Sequence, residues 1–123
     1  MDRFAGQAKP QANGAYSMVM FHDEVVIPAA MTDYVEGEDP NVMFYGKQTV
    51  IAPSRLAGNV LMVHETIDQV REPRRAWIYN AGQRRVRRAP QVAYDGPGTA
   101  ADGLRTADNY DLYNGSPDRY TWT

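Results

Sequence analysis

Seven arginines fall between residues 71 and 88, in the stretch REPRRAWIYNAGQRRVRR, against a single acid, Glu72. Guanidinium groups at that density beside Trp77 and Tyr79 suit phosphates, carboxylates and lipid headgroups, because the planar fork donates two parallel hydrogen bonds to an oxyanion. Arginines interleaved with aromatic rings are also the residue types of a single-strand nucleic-acid platform. The chain carries a counter-charge of its own: residues 95 to 118 hold five aspartates against one arginine, Arg105. Salt bridges between these two segments are the simplest structural account of the cluster, and an external anion is the functional one.

The other chemistry-bearing residues form no site by spacing. His22 precedes Asp23 and Glu24, and His64 precedes Glu65. A metal or acid–base centre needs such groups to converge with a third ligand or partner. The two histidines lie on separate strand-like segments, so ordinary strand histidines are expected. YDGPGTAADG, from Tyr94, has the glycines of a phosphate loop but no Gly-Lys-Ser/Thr and no preceding βα unit. Asp108, Asn109 and Asp111 crowd together in DNYDLYNG without the spacing of an EF-hand, and turn formation is their expected use. Ser17, Ser54 and Ser116 stand in no nucleophile-elbow pattern. With no cysteine there is no thiolate and no disulfide. The expectation is a protein without enzymatic activity, cofactor or metal.

Positioning any of these residues falls to a chain of 123 residues, enough for one domain with a modest core. A net charge of −2 and a pI near 5.6 argue against a general polyanion binder, so nucleic acid is not an expected partner. No apolar run approaches the ~20 residues that span a bilayer as a helix, and the start, MDRFAGQAKPQANGAYS, lacks the apolar stretch of a signal peptide.

Period-two alternation and β-branched residues dominate the chain between residues 15 and 88. Residues 1–14 read as a polar arm, and 15–88 as an antiparallel sheet. Its strands fall at 15–22, 42–52, 59–68 and about 75–80, and then in RRVRR. Gly46 within VMFYGKQTVIA suggests a bulge or sharp bend. NAGQ joins the last two strands as a hairpin, with Trp77 expected opposite Val86, Tyr79 opposite Arg84 and Ile78 opposite Arg85. One hairpin face then holds Trp77, Tyr79, Arg84, Val86 and Arg88, and the other Ala76, Ile78, Arg85 and Arg87. Residues 89–123 are rich in Gly, Pro, Asp and Asn and read as a long irregular loop.

Those residues carry a resemblance. RRAWIYNAGQRRVRRAP resembles the aromatic strand, short turn and arginine strand of proteins similar to the periplasmic outer-membrane lipoprotein-sorting proteins. The continuation VAYDGPGTAADGLRTADNYDLYNGSPDRYTW resembles one uncharacterised family among them, domain of unknown function 1329. The match is close over about residues 71–122 and looser upstream to about residue 15. The resemblance implies a mainly β fold: a curved antiparallel sheet, part of a LolA/LolB-like half-barrel, with a long irregular C-terminal segment. It also implies a Gram-negative periplasmic location, a cavity for acyl chains and longer relatives, so that this chain corresponds to a piece of the whole. It carries over no catalytic residue.

The expected function is therefore a non-enzymatic binding module for a lipid, a lipoprotein acyl chain or another hydrophobic ligand in envelope transport. Its groove is expected from Met18, Met20, Phe44, Tyr45, Leu61, Val63, Trp77 and Tyr79, since methionine and aromatic rings suit an unselective apolar pocket. Arg84, Arg85, Arg87 and Arg88 are expected to meet the ligand's anionic group. The rival expectation is an interaction domain with no small ligand, docking onto a partner protein or the missing part of the same protein. Open sheet edges and an uncovered apolar face predict a homodimer, with segment 89–123 reaching across. Its anchors are Tyr94, Leu104, Tyr110, Leu112, Tyr113 and Trp122.

Overall fold

Alternating side chains along extended segments produce six strands in sequence order in the computed structural model, which describes residues 1–36, 41–90, 92–109 and 112–123. They are β1 (Asp2–Pro10), β2 (Tyr16–Val26), β3 (Val42–Ala52), β4 (Val60–Thr66), β5 (Arg75–Asn80) and β6 (Arg85–Ala89). Each pairs antiparallel with the next, giving one six-stranded sheet of order β1-β2-β3-β4-β5-β6 that is not closed into a barrel. Helix is confined, among the described residues, to two single 3₁₀ turns, Pro28–Ala30 and Pro117–Arg119. The fold is mainly β, as the alternation predicts.

The register sorts the side chains onto two faces. Pairings Asp23 with Gln48, Gln48 with Leu61, and Leu61 with Ile78 put one set together. This inner face includes Val19 and Phe21 of β2, Val50 and Phe44 of β3, and Val63 and Glu65 of β4. The opposite, outer face holds Met18, Met20 and His22, then Tyr45, Met62 and His64, then Trp77 and Tyr79. The residues of the predicted groove are therefore divided. Phe44, Leu61 and Val63 lie on the inner face, while Met18, Met20, Tyr45, Trp77 and Tyr79 lie on the outer one. Alternation along a single strand fixes which residues share a side, but not which side is covered.

The core is small and off-centre. Val19, Phe21 and Val50 are buried at one end of the inner face, with Leu56 and Ala100 packed over them. Ala100 belongs to the C-terminal segment, which folds back over the sheet of its own chain. That placement differs from a segment reaching across to a second copy. Its local order comes from backbone pairing that composition does not reveal. Ala107 N–H donates to Gly96 O at 2.7 Å, Gly98 N–H to Arg105 O at 3.0 Å and Asp108 N–H to Tyr94 O at 3.1 Å. Tyr110, one of its expected anchors, lies outside the described residues. Leu112, another, is 91% exposed and anchors nothing.

Three further differences have local causes. Residues 2–10 are a strand, not an arm. Their inward side chains are Arg3, Ala5, Gln7 and Lys9, too short or too polar to register as a hydrophobic period, and buried Lys9 pairs with Asp102 of the C-terminal segment at 2.6 Å. The irregularity in β3 pairing with β4 falls between Val42 and Phe44, not at Gly46. Gly46 instead leaves room for the Phe44 ring, whose Cε2 lies 3.2 Å from where a Cβ would stand.

The hairpin forms, but its register is shifted by two. Tyr79 pairs with Val86, Ile78 with Arg87 and Trp77 with Arg88. The turn is the four residues 81–84. Asn80 Oδ1 accepts the Gln83 N–H at 2.9 Å, and Arg84 closes the turn in the left-handed region at φ 52°. A shift of two preserves the predicted faces of the paired residues. Trp77 is half-buried on the outer face, with its ring centroid 4.7 Å from that of His64. Trp77→Ala is accordingly expected to cost about 1–2 kcal/mol in urea melts, below the roughly 3–5 kcal/mol of a fully buried ring; a loss above about 3 kcal/mol would contradict the half-buried placement.

Candidate functional site

At the end of the inner face away from the core, the sheet and the C-terminal segment border a half-open cavity of about 610 Å³. Its floor is apolar: Val25, Phe44, Leu61, Val63, Ala76 and Ile78, brought side by side by the β2–β5 register. Val92, Pro97, Gly98, Thr99, Arg105 and Ala107 wall it from the C-terminal segment. The volume lies within the range of small-molecule sites.

The wall is held by a buried polar hub. Arg74 and Glu65 are 8% and 2% exposed, and Arg74 Nε donates to Glu65 at 2.7–2.8 Å. Three of the remaining guanidinium hydrogens go to the C-terminal backbone. Nη1 donates to Val92 O at 3.0 Å and Ala107 O at 3.1 Å, and Nη2 to Asn114 O. Gln69 Nε2 donates to Glu65 Oε1 at 3.0 Å and Asn114 Oδ1 at 3.1 Å. One planar cation thus ties three separate carbonyls to a strand carboxylate. A glycine completes the fit: at Gly115 a Cβ would stand 2.6 Å from Asp108 Cβ, so only glycine lets Ser116 N–H reach Ala93 O at 3.0 Å. A second cluster fixes the end of the segment. Tyr120 donates its hydroxyl to Asp108 Oδ2 at 2.9 Å, and this bond pushes the phenol up to about 12. The Ser116 hydroxyl, and then that of Tyr94, hold the Asp118 carboxyl below its ordinary value by donating to its charged form.

Charge around the cavity is unbalanced. Arg3 pairs with Asp23 at 3.1 Å, Arg74 with Glu65, and Lys47 with Glu24. Arg87, Arg88 and Arg105 also line the cavity, and among the described residues none of them has a carboxylate partner. Arg87 meets Gln83 Oε1 at 3.3 Å, and Arg105 the Thr99 carbonyl at 3.3 Å. Salt bridges from the arginine strand to the Asp-rich segment, the simplest account of the composition, do not form among these residues. Asp102 is taken by Lys9, Asp108 by Thr106 and Tyr120, and Asp118 by Ser116 and Tyr94, while Asp95 is exposed and forms no ion pair among the described residues. Asp111 lies outside the described residues.

Of the four arginines expected at an anion, Arg87 and Arg88 border the cavity, Arg85 stands exposed on β6 and Arg84 is in the turn. Glu65, Arg74 and Arg105 are site residues that spacing does not single out. Glu65 has a signal: an acid in phase with the inward Leu61 and Val63 of β4 must find a buried cation. Arg74 and Arg105 have none, since their partners are mainly backbone carbonyls. His22 stacks on Phe4 at 4.9 Å, and His64 lies edge-on to Tyr45 at 4.8 Å, both on the outer face. Among the described residues, no three His, Asp or Glu side chains stand where they could hold a metal ion. No helix there is long and apolar enough to cross a membrane, which says nothing of crossing by strands.

A family model described as a protein of unknown function (DUF1329) matches residues 1–123. An uncharacterized protein of Pseudomonas aeruginosa is 66% identical over 120 residues, a stretch that is 98% of this chain and 26% of that protein. The chain therefore spans about a quarter of the length of the curated relative it matches. No solved structure matches it.

Proposed function

The chain belongs to the DUF1329 family of proteins of unknown function, and from that premise we propose that it is a non-enzymatic binding module for an amphipathic ligand, an apolar body carrying an acidic headgroup. A lipid or a lipoprotein acyl chain has that chemistry. The observation that carries the reading is the cavity: an apolar floor of strand side chains beneath Arg87 and Arg105, which no carboxylate of the described residues neutralises. Buried apolar area supplies affinity, and the guanidinium groups orient the head. The site of action is the periplasm, and the sheet is part of a LolA/LolB-like half-barrel. An open antiparallel sheet and a relative from a Gram-negative bacterium are consistent with both.

Native mass spectrometry of the chain purified from cells, with lipid extraction of the same sample, tests the proposal. An anionic amphiphile is expected to co-purify, and Leu61→Arg, which places a charge on the cavity floor, is expected to abolish it. Protein that is folded and carries no lipid, and that takes none from anionic vesicles, would reject the reading.

The outer face favours a second reading, an interaction domain. Met18, Tyr45, Met62 and Val86 there are 43%, 40%, 42% and 64% exposed, the makings of an uncovered apolar patch. Pairing two such faces would give the homodimer that the sequence leads one to expect. A monomer by light scattering at micromolar concentration would discount it.

A further inference from the structure

β6 is the last strand of the sheet, pairs only with β5 among the described residues, and leaves its other edge of N–H and C=O groups without a strand. Every residue from Arg84 to Arg88 is exposed, and none of the four arginines has a carboxylate partner among the described residues. Arg85 and Arg87 project on one face of this edge, and Val86 and Arg88 on the other. The chain's acidic segment does not answer them: among the described residues Asp102, Asp108 and Asp118 are engaged elsewhere, and no ion pair joins the exposed Asp95 to these arginines.

The geometry points to β6 as a docking edge for an acidic, extended segment of a separate partner protein, which adds a seventh strand and sets its carboxylates against Arg85, Arg87 and Arg88. This goes beyond the ligand cavity, since it uses the strand's outer backbone and the exposed Arg85. Backbone pairing supplies the register, and the arginines supply the selection. Opposite Arg85, Val86, Arg87 and Arg88 the complementary order is acid, apolar, acid, acid. A second copy of the chain is a poor occupant. A two-fold antiparallel pairing centred anywhere from Arg85 to Arg88 sets arginine opposite arginine, and like charges directly opposite are destabilising.

The test is a titration of the 123-residue chain with an acetylated, amidated ten-residue peptide of central sequence Glu-Glu-Val-Glu, followed by amide NMR. Shifts confined to residues 84–89, with new exchange protection there, are expected. Arg85→Glu is expected to weaken binding about tenfold or more, because it places like charges across the pair. Methylation of alternate backbone nitrogens of the peptide is expected to abolish binding. Equal binding of the methylated peptide would reduce the contact to unspecific charge attraction and overturn the proposal. So would shifts centred on Phe44 and Leu61, which would make the arginines part of the cavity alone. Tighter binding of a DNA duplex than of the peptide at about 150 mM salt would also overturn it. The longer Pseudomonas relative provides the last arm. Binding there as well supports an external partner, and binding by the short chain alone shows that the edge is covered by its own polypeptide, which rejects one.

Discussion

Arg74→Met is expected to destabilise the chain by about 3–5 kcal/mol, the cost of stripping one partner from a buried ion pair. The loss is large because the guanidinium serves two purposes. It neutralises Glu65, which is 2% exposed, and it satisfies the carbonyls of Val92, Ala107 and Asn114. Without it, Glu65 keeps only the amide contacts of Gln69 and Asn114, and a charge so buried is not held by neutral donors at the same energy. The effect has a spatial signature. Exchange protection at Asp108, Asn114 and Ser116, whose N–H groups bond within the C-terminal segment, is expected to collapse first. Protection along the β2–β3 pairing should survive longer. The double variant Glu65→Gln with Arg74→Met should lose less than the sum of the two singles, since the orphaned charge is gone. A single-variant loss under about 1 kcal/mol would mean that the segment is held by its own contacts and that the cavity wall does not depend on the hub. Since domains of this kind have roughly 5–15 kcal/mol in total, the expected loss approaches the limit of folding.

The second large effect is expected at the other end of the inner face. Phe21 is 4% exposed and packs with Val19 and Val50 in a core of few residues. Phe21→Ala is expected to cost about 3–5 kcal/mol, the transfer energy of the ring plus the cavity it leaves. A small core has little means of collapsing into the gap, because backbone pairing to β1 and β3 holds β2 in place on both sides. Urea denaturation with an unchanged slope is the measurement. Phe21→Leu, which retains most of the volume, should recover most of the loss. Equal losses for the two variants would point to a strand-pairing defect rather than to packing.

The two variants separate stability from the proposed function. Phe21 lies outside the cavity lining, so a folded Phe21→Leu protein should still carry ligand. Arg74 lines the cavity and holds its wall, so Arg74→Met should release ligand even under conditions where the sheet remains paired.

Much of the fold was legible in the sequence because period two is a local property. The limits of β3, 42–52, follow from its alternation, and β4 and β5 fall within a few residues of the segments that their β-branched and aromatic residues mark. The division of the hairpin between two faces was legible too, and it survives a register shift of two because parity does. The register itself was not. It depends on a four-residue turn in which Arg84 takes a left-handed conformation that no arginine advertises. β1 was hidden because a strand lined by Arg3, Ala5, Gln7 and Lys9 has no hydrophobic period, and Lys9 is matched by Asp102, 93 residues away in the chain. The arginine cluster was conspicuous by composition, but its division was not. Arg74 is consumed inside the protein, Arg87 and Arg88 border a cavity, and Arg85 faces solvent. The sequence by itself determined an antiparallel β chain with an excess of guanidinium groups in one hairpin. Tertiary structure decided which face of that sheet is covered, because the covering segment is held by backbone carbonyls that every residue carries and no side chain marks.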